Sequence, residues 1–138
     1  RNSTSLSLFL RSKKEKEKII DLNLQYDIEF DDPIIVYTLK GSIITELDYE
    51  SIEREVFENL NKNYYRIVFN LENLTHTNSS GIAFFMRTLT KSRIMGGELV
   101  LSNVSGNVAK IFEISKLDEI YTICDNQTEG INHFKKQE

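Results

Sequence analysis

The residues best placed to do chemistry lie together at Asn78-Ser79-Ser80-Gly81. They follow the apolar run Ile67-Val68-Phe69-Asn70-Leu71, which has the pattern of a buried strand, and they lead into amphipathic sequence that lasts to Met95. Asparagine is a favoured N-cap, because its side-chain oxygen accepts from backbone N–H groups that the first helical turn leaves unpaired. Ser79 and Ser80 then place two hydroxyls at the positive end of a helix dipole. A phosphate added there would meet unpaired N–H groups and a favourable field. The same letters also suit a plain helix start, and from the residues alone both readings stand.

Other chemistry is harder to assemble. No G-x-S-x-G elbow surrounds Ser79, and the chain has neither G-x-G-x-x-G nor a Gly-Lys-Ser/Thr loop. His76 is near Ser79 in sequence, but a histidine base needs a third group to orient it, and nothing marks one. His133 sits in a polar terminal segment, and Asp31-Asp32 is a turn pair. Cys124 follows an apolar stretch and reads as a small hydrophobe. As the single cysteine it can form no intrachain disulfide, and no Cys/His cluster has zinc spacing. The expectation is no catalytic residue, no metal and no cofactor.

The elements that must position these residues can be read in order. Residues 1–20 differ from the rest, with a Ser-rich start and the charge run Ser12-Lys13-Lys14-Glu15-Lys16-Glu17-Lys18. They read as a solvated tail or short helix, dispensable for folding, ahead of one domain over 21–138. Residues 22–30 alternate apolar and polar, as an edge strand does; Asp31-Asp32-Pro33 turns the chain, and Ile34 to Leu39 forms the second strand of a hairpin that Gly41 ends. Glu46 to Leu60 is a helix with the stripe Tyr49, Ile52, Val56 and Leu60. Tyr65 to Leu71 is the central strand, Glu72 to Thr77 a loop, and Ser79 to Met95 a helix with Ile82, Phe85, Met86 and Leu89 inward, closed by Gly96-Gly97. On a helical wheel Phe84 lies opposite that face beside Arg87 and Lys91, which suits an exposed interface anchor. A strand over Glu98 to Leu101, a helix capped by Ser105, a short strand over Ile120 to Ile123 and a terminal helix within Asp125 to Lys136 complete the series. Alternating helices and strands imply a mostly parallel sheet, so the Asn78-Ser79 segment lies at the edge where open α/β sheets place their sites.

Composition bounds the function. With 138 residues, 40% hydrophobic and 28% charged, the chain reads as one globular domain. A net charge of −4 disfavours nucleic acid and anionic membrane as partners. Leu6-Ser7-Leu8-Phe9-Leu10 is too short for a signal-peptide core, no apolar run spans a membrane, and the cysteine usage suits a reducing cytoplasmic setting. Five Asn-x-Ser/Thr triplets read as chance in a chain rich in Asn, Ser and Thr.

Several pieces, in order, resemble the STAS domain of anti-sigma factor antagonists, the partner-switching regulators of sporulation and stress. Leu39-Lys40-Gly41 is similar to the family's Leu-x-Gly, and Ile67 to Leu74 to its strand and loop. Asn78-Ser79-Ser80-Gly81-Ile82 is similar to its Asp-Ser-Ser-Gly-Leu phosphorylation motif, and Gly96-Gly97-Glu98-Leu99-Val100-Leu101 to its Gly-Gly-Glu strand. Ser105 through Ser115-Lys116-Leu117 resembles its third helix and Ser-Gly-Leu ending. The likeness spans roughly residues 22–137. It implies a STAS fold, an α/β structure whose mixed, mostly parallel sheet has four to five strands, with about four helices. It implies a protein that is not an enzyme. Such a protein binds an anti-sigma factor that is also a serine kinase of histidine-kinase-like ATPase fold, is released when Ser79 (or its runner-up, Ser80) is phosphorylated, and is restored by a PP2C-type phosphatase. Asn78, Ser79, Ser80, Gly81, Phe84 and Arg87 would then be partner-binding. The alternative is a STAS scaffold or transporter-associated subunit without a phosphorylation cycle. Three positions depart from the pattern: Asn78 replaces the motif's Asp, Ser42-Ile43-Ile44 stands where an acidic residue is usual, and Lys116 replaces Gly.

Overall fold

The computed structural model describes residues 23–136. The tail expected over 1–20 and the Leu6–Leu10 run lie outside the described residues. Two antiparallel strands open the domain, β1 (Leu24–Asp31) and β2 (Ile34–Ile43), joined at Asp32-Pro33. There follow α1 (Glu46–Asn61), β3 (Arg66–Thr77), α2 (Ser79–Ile94), β4 (Glu98–Ser102), α3 (Gly106–Ile114), a 3₁₀ turn at Leu117–Glu119, β5 (Thr122–Cys124) and α4 (Gln127–Lys135). The five strands form one sheet in the order β1-β2-β3-β4-β5, and every pair after the first is parallel. The α/β sheet and the four helices of the described residues match the expected architecture.

The sheet is sided by its sequence. On β1, Leu24, Tyr26, Ile28 and Phe30 face the main core while Gln25, Asp27 and Glu29 face out, the period of two of a half-covered strand. On β2 and β3 both faces are apolar. Ile35, Tyr37, Ile67 and Phe69 join the core under α1, α2 and α3, whereas Ile34, Val36, Val68 and Val100 meet Phe134 of α4. Gly130 lies in α4 because that helix rests close on the sheet: a Cβ there would come 3.1 Å from Val68 Cγ1. Gly130 is thus a packing residue of α4.

Two boundaries differ from expectation. β2 does not stop at Gly41 but runs to Ile43, and Glu72 to Thr77 is strand rather than loop. The two extensions pair with each other, Gly41 opposite Leu74 and Ile43 opposite Thr77, past register shifts on either side of Gly41. Leu74 and Thr77 are buried among polar neighbours, and this irregular spacing hid the strand. The last strand is also displaced, to Thr122–Cys124, because Leu117–Glu119 coils first.

α2 ends as Gly96-Gly97 suggested. The Gly97 N–H donates to Ser92 O at 2.8 Å and the Gly96 N–H to Arg93 O at 3.0 Å, the paired bonds of a Schellman motif. α3 ends differently. Lys116 takes φ 63° and ψ 24°, a left-handed conformation that costs a side chain about 1–2 kcal/mol. Its ion pair to Glu119, 3.7 Å long and exposed, contributes little against that cost. Lys116→Gly relieves the strain and gives back about 0.5–1 kcal/mol as unfolded-chain freedom. The variant is expected to be more stable by about 0.5–1 kcal/mol, read as a higher urea midpoint at unchanged m-value.

Candidate functional site

Asn78 caps α2, as its type suggested. Its extended backbone (φ −149°, ψ −163°) lets Oδ1 accept from the N–H of Ser80 at 2.9 Å and of Gly81 at 3.4 Å. The amide does a second job that an aspartate could not: Nδ2 donates to Ile44 O at 3.0 Å and ties the cap to the β2–α1 connection. Gly81 is buried, and a Cβ there would collide with Thr77 Oγ1 and lie 3.2 Å from Ile43 Cγ2. Thr77 Oγ1 in turn donates to Ile43 O at 3.1 Å. The first turn of α2 therefore rests on the ends of β2 and β3, and Gly81 is needed for that close approach.

Ser79 projects from this platform into solvent, and among the described residues its hydroxyl has no hydrogen-bond partner. Ser80 is half-buried. The Asn78 side chain already takes the Ser80 and Gly81 N–H groups, so a phosphate on Ser79 would gain from the helix dipole more than from free donors. His76 Nδ1 lies 3.1 Å from Thr75 Oγ1, and no hydrogen bond links the histidine to Ser79. Cys124 is half-buried at the end of β5, where burial first, then Glu129 and Asp125, pushes its thiol up.

The neighbouring helix starts on a buried acid. Asp48, 4% exposed, accepts from the N–H groups of Ile44 at 2.9 Å, Thr45 at 3.0 Å and Asn23 at 3.3 Å. Burial alone would raise its pKa, but the backbone donors outweigh it and hold the carboxyl below the usual carboxylate range. Asp48 thus fixes the β2–α1 connection and the entry of β1 beside the Asn78 cap.

Phe84, expected at the surface, faces inward. Phe84 is fully buried, stacked on Tyr49 at 5.2 Å between ring centroids and on Phe69 at 6.0 Å, and tilted against Phe85 at 5.2 Å. The wheel misplaced it because α2 packs on α1 as well as on the sheet, so its apolar face is wider than one stripe. Phe84 and Gly81 are both buried in the packing of the domain. Arg87 is exposed, yet its guanidinium pairs with Glu53 (Nε–Oε2 2.9 Å) and covers the Tyr49 ring at 5.1 Å. Hydrogen bonding to Glu53 raises its pKa further, so it stays charged.

Two residues of this edge escaped the reading. Ile44 is 39% exposed and Leu47 53%, both at the β2–α1 connection that Asn78 binds. Leu47 lies off the Tyr49-Ile52-Val56-Leu60 stripe, and that was the available signal. Next to Ser79 stands the uncharged Asn78 amide, and the connection it binds exposes Ile44, Glu46 and Leu47. Among the described residues no group of three His, Cys, Asp or Glu is placed to hold a metal ion, and no helix is long and apolar enough to cross a membrane.

A family model described as the STAS domain matches residues 25–130. BtrV of Bordetella bronchiseptica, provisionally named an anti-sigma factor antagonist, is 26% identical over 104 residues, covering 75% of this chain and 89% of BtrV. The anti-sigma F factor antagonist of Paenibacillus polymyxa is 26% identical over 125 residues, covering 83% of this chain and 97% of that protein. The phosphorylated form of the Bacillus cell-fate determinant SpoIIAA superposes with a TM-score of 0.65 at 20% identity, over 80% of this chain and 99% of that one.

Phe84→Ala is expected to lower stability by about 3–5 kcal/mol, the range for emptying a buried aromatic site, measured by urea unfolding. Asp48 sets an acid limit. Its pKa is depressed on folding, so its contribution is complete above the unfolded value of about 3.9 and is lost as pH falls through the folded value. Asp48→Asn is therefore expected to be less stable than wild type at pH 7, with a difference that narrows steadily as the pH of the unfolding titration drops below about 4.

Proposed function

This chain belongs to the STAS domain family, and we propose that it serves there as an anti-sigma factor antagonist switched by phosphorylation of Ser79. The observation that carries the proposal is the exposed, uncommitted Ser79 hydroxyl on a first turn held rigidly to the sheet. The relatives named as antagonists support the class of function. In its unmodified state the protein binds an anti-sigma factor through the edge formed by Asn78, Ser79, Ser80 and the β2–α1 connection. A serine kinase, the same partner in this reading, moves the γ-phosphoryl group of ATP to Ser79 Oγ, and the hydroxyl proton leaves. A phosphatase restores the hydroxyl by hydrolysis. The domain supplies position and surface, not catalysis.

Geometry suggests why modification would break the complex without unfolding the domain. A phosphate carries about −1.5 to −2 charges at neutral pH, and the dipole of α2 tolerates it. The β2–α1 connection that Asn78 binds exposes the aliphatic side chains of Ile44 and Leu47. A partner that covers these must also strip water from the phosphate, which costs far more than burying a hydroxyl.

Ser79→Ala is expected to fold as wild type and to remain bound to the anti-sigma partner when kinase and ATP are present. Ser79→Asp is expected to fold normally and to bind at least about tenfold more weakly, about 1.4 kcal/mol. Mass spectrometry of wild type after incubation with the partner kinase and ATP should place the phosphate on Ser79. Phosphate on Ser80 would move the site by one residue. Absence of phosphate, with Ser79→Asp binding as wild type does, would leave the scaffold reading in its place.

A further inference from the structure

We propose that the outer edge of β1 is a docking site for an extended segment of a partner protein, one that alternates aliphatic and basic residues and joins the sheet as a further strand. β1 stands first in the strand order, and all eight of its residues, Leu24 to Asp31, pair with β2 in one continuous antiparallel register. Among the described residues no strand lies on its other side. Every second residue of an edge strand turns its N–H and C=O outward, so β1 presents a row of main-chain donors and acceptors. Natural sheets blunt such edges by shortness, a proline, a lysine or a bulge. β1 runs for eight residues and has no proline, no lysine and no shift of register. An added strand is therefore sterically and electronically admissible along its whole length.

The two faces of β1 specify the segment. On the core side Tyr26, Ile28 and Phe30 are only half-buried, although they pack against the main cluster. Tyr26 is held by hydrogen bonds of its hydroxyl with Ser51 at 3.1 Å and Glu55 at 2.9 Å, and Phe30 by the Tyr64 ring at 5.0 Å. This apolar flank is thus already in place, and aliphatic side chains at alternate positions of a neighbouring strand would cover it. On the opposite face Gln25, Asp27, Glu29 and Asp31 are exposed. Asp31 already draws Lys135 of α4 to 3.8 Å. Asp27 and Glu29 stand across from Thr38 and Val36 of β2, with Lys40 across from Gln25, and among the described residues neither acid has an ion pair. Lysines at the intervening positions of the incoming strand would lie beside both, and facing opposite charges stabilise a strand pair.

The same charges argue against a second copy of this chain as the occupant. Two β1 strands paired about a two-fold axis set Gln25, Asp27, Glu29 and Asp31 of one copy against the same four residues of the other. Like charges directly opposite weaken such a pair, whereas a basic strand is welcomed. The inference is independent of the phosphorylation reading, because β2 separates β1 from β3 and from the α2 platform that carries Ser79.

A designed peptide serves as the probe. Fluorescein-labelled Lys-Val-Lys-Val-Lys-Ile-Lys is titrated with the full chain and followed by anisotropy, beside Glu-Val-Glu-Val-Glu-Ile-Glu and a lysine peptide of the same composition in scrambled order. The alternating lysine peptide is expected to bind at least tenfold more tightly than either. It should slow amide exchange across Leu24–Asp31 at least threefold and leave Glu98–Ser102 of β4 unchanged. Asp27→Lys/Glu29→Lys alters two exposed side chains and is expected to fold normally and to prefer the glutamate peptide. The proposal is overturned by the absence of saturable binding below about 1 mM, by equal binding of the alternating and scrambled peptides, or by a preference that the charge swap leaves unchanged. Protection that falls on α1, whose exposed Glu46, Glu50 and Glu58 also attract bases, overturns it as well. So does an edge already slow to exchange before peptide is added: a second copy is then the occupant if the protection grows with protein concentration, and the chain itself if it does not.

Discussion

The stacked rings of Tyr49, Phe84 and Phe69 are the contact on which the rest of this domain depends. They come from α1, α2 and β3, and they meet where no water reaches. Phe85 extends the cluster to Phe112 of α3 at 5.3 Å, and Tyr37 of β2 closes its other side against Phe69 at 5.5 Å. Aromatic pairs at these spacings contribute beyond their buried area, and a close-packed interior does not deform smoothly. Helix α2 therefore cannot slide or roll on the sheet without disrupting several ring contacts together. Its first turn is a fixed platform that carries the exposed Ser79.

Polar bonds complete what the rings begin. Asn78 and Asp48 both reach the β2–α1 connection, one by donating to Ile44 O and the other by accepting from the Ile44 and Thr45 N–H groups. The starts of α1 and α2 are thereby held side by side at the same end of the sheet. The buried carboxylate is matched by backbone donors, so it holds the connection in place without leaving an uncompensated charge in the interior. Tyr121 adds a buried bond from its hydroxyl to Phe85 O, joining the 3₁₀ turn region to the middle of α2.

How far the sequence revealed this depends on the range of the forces involved. The Asn78 cap, the Gly96-Gly97 terminator and the stripe of α1 are local, and each was legible in a few residues. The continuation of β3 through Glu72 to Thr77 was not, because that strand exists by pairing with the end of β2, thirty-odd residues away, past a shifted register. Phe84 misled for the same reason. A wheel treats a helix as having one wet side, and α2 has neighbours on two. At the site, residue types marked Asn78 and Ser79 correctly as a cap followed by an exposed hydroxyl. They could not show that Gly81 is required by Thr77, or that Ile44 and Leu47 share the edge, since these are facts of tertiary approach.

The division of labour along α2 has a bearing on descent. Gly81, Phe84, Phe85 and Thr88 hold the helix in place, while Ser79, Ala83 and Thr90 face solvent and support no packing. Ile44 and Leu47 likewise stand outside the buried set. Substitutions on this outer set leave folding almost untouched, because exposed positions of this kind contribute within about 0.5 kcal/mol. A duplicated gene could therefore drift at these few positions, each intermediate remaining folded. Such an arrangement lets the surface at this end of the sheet diversify among copies while every copy keeps the same interior.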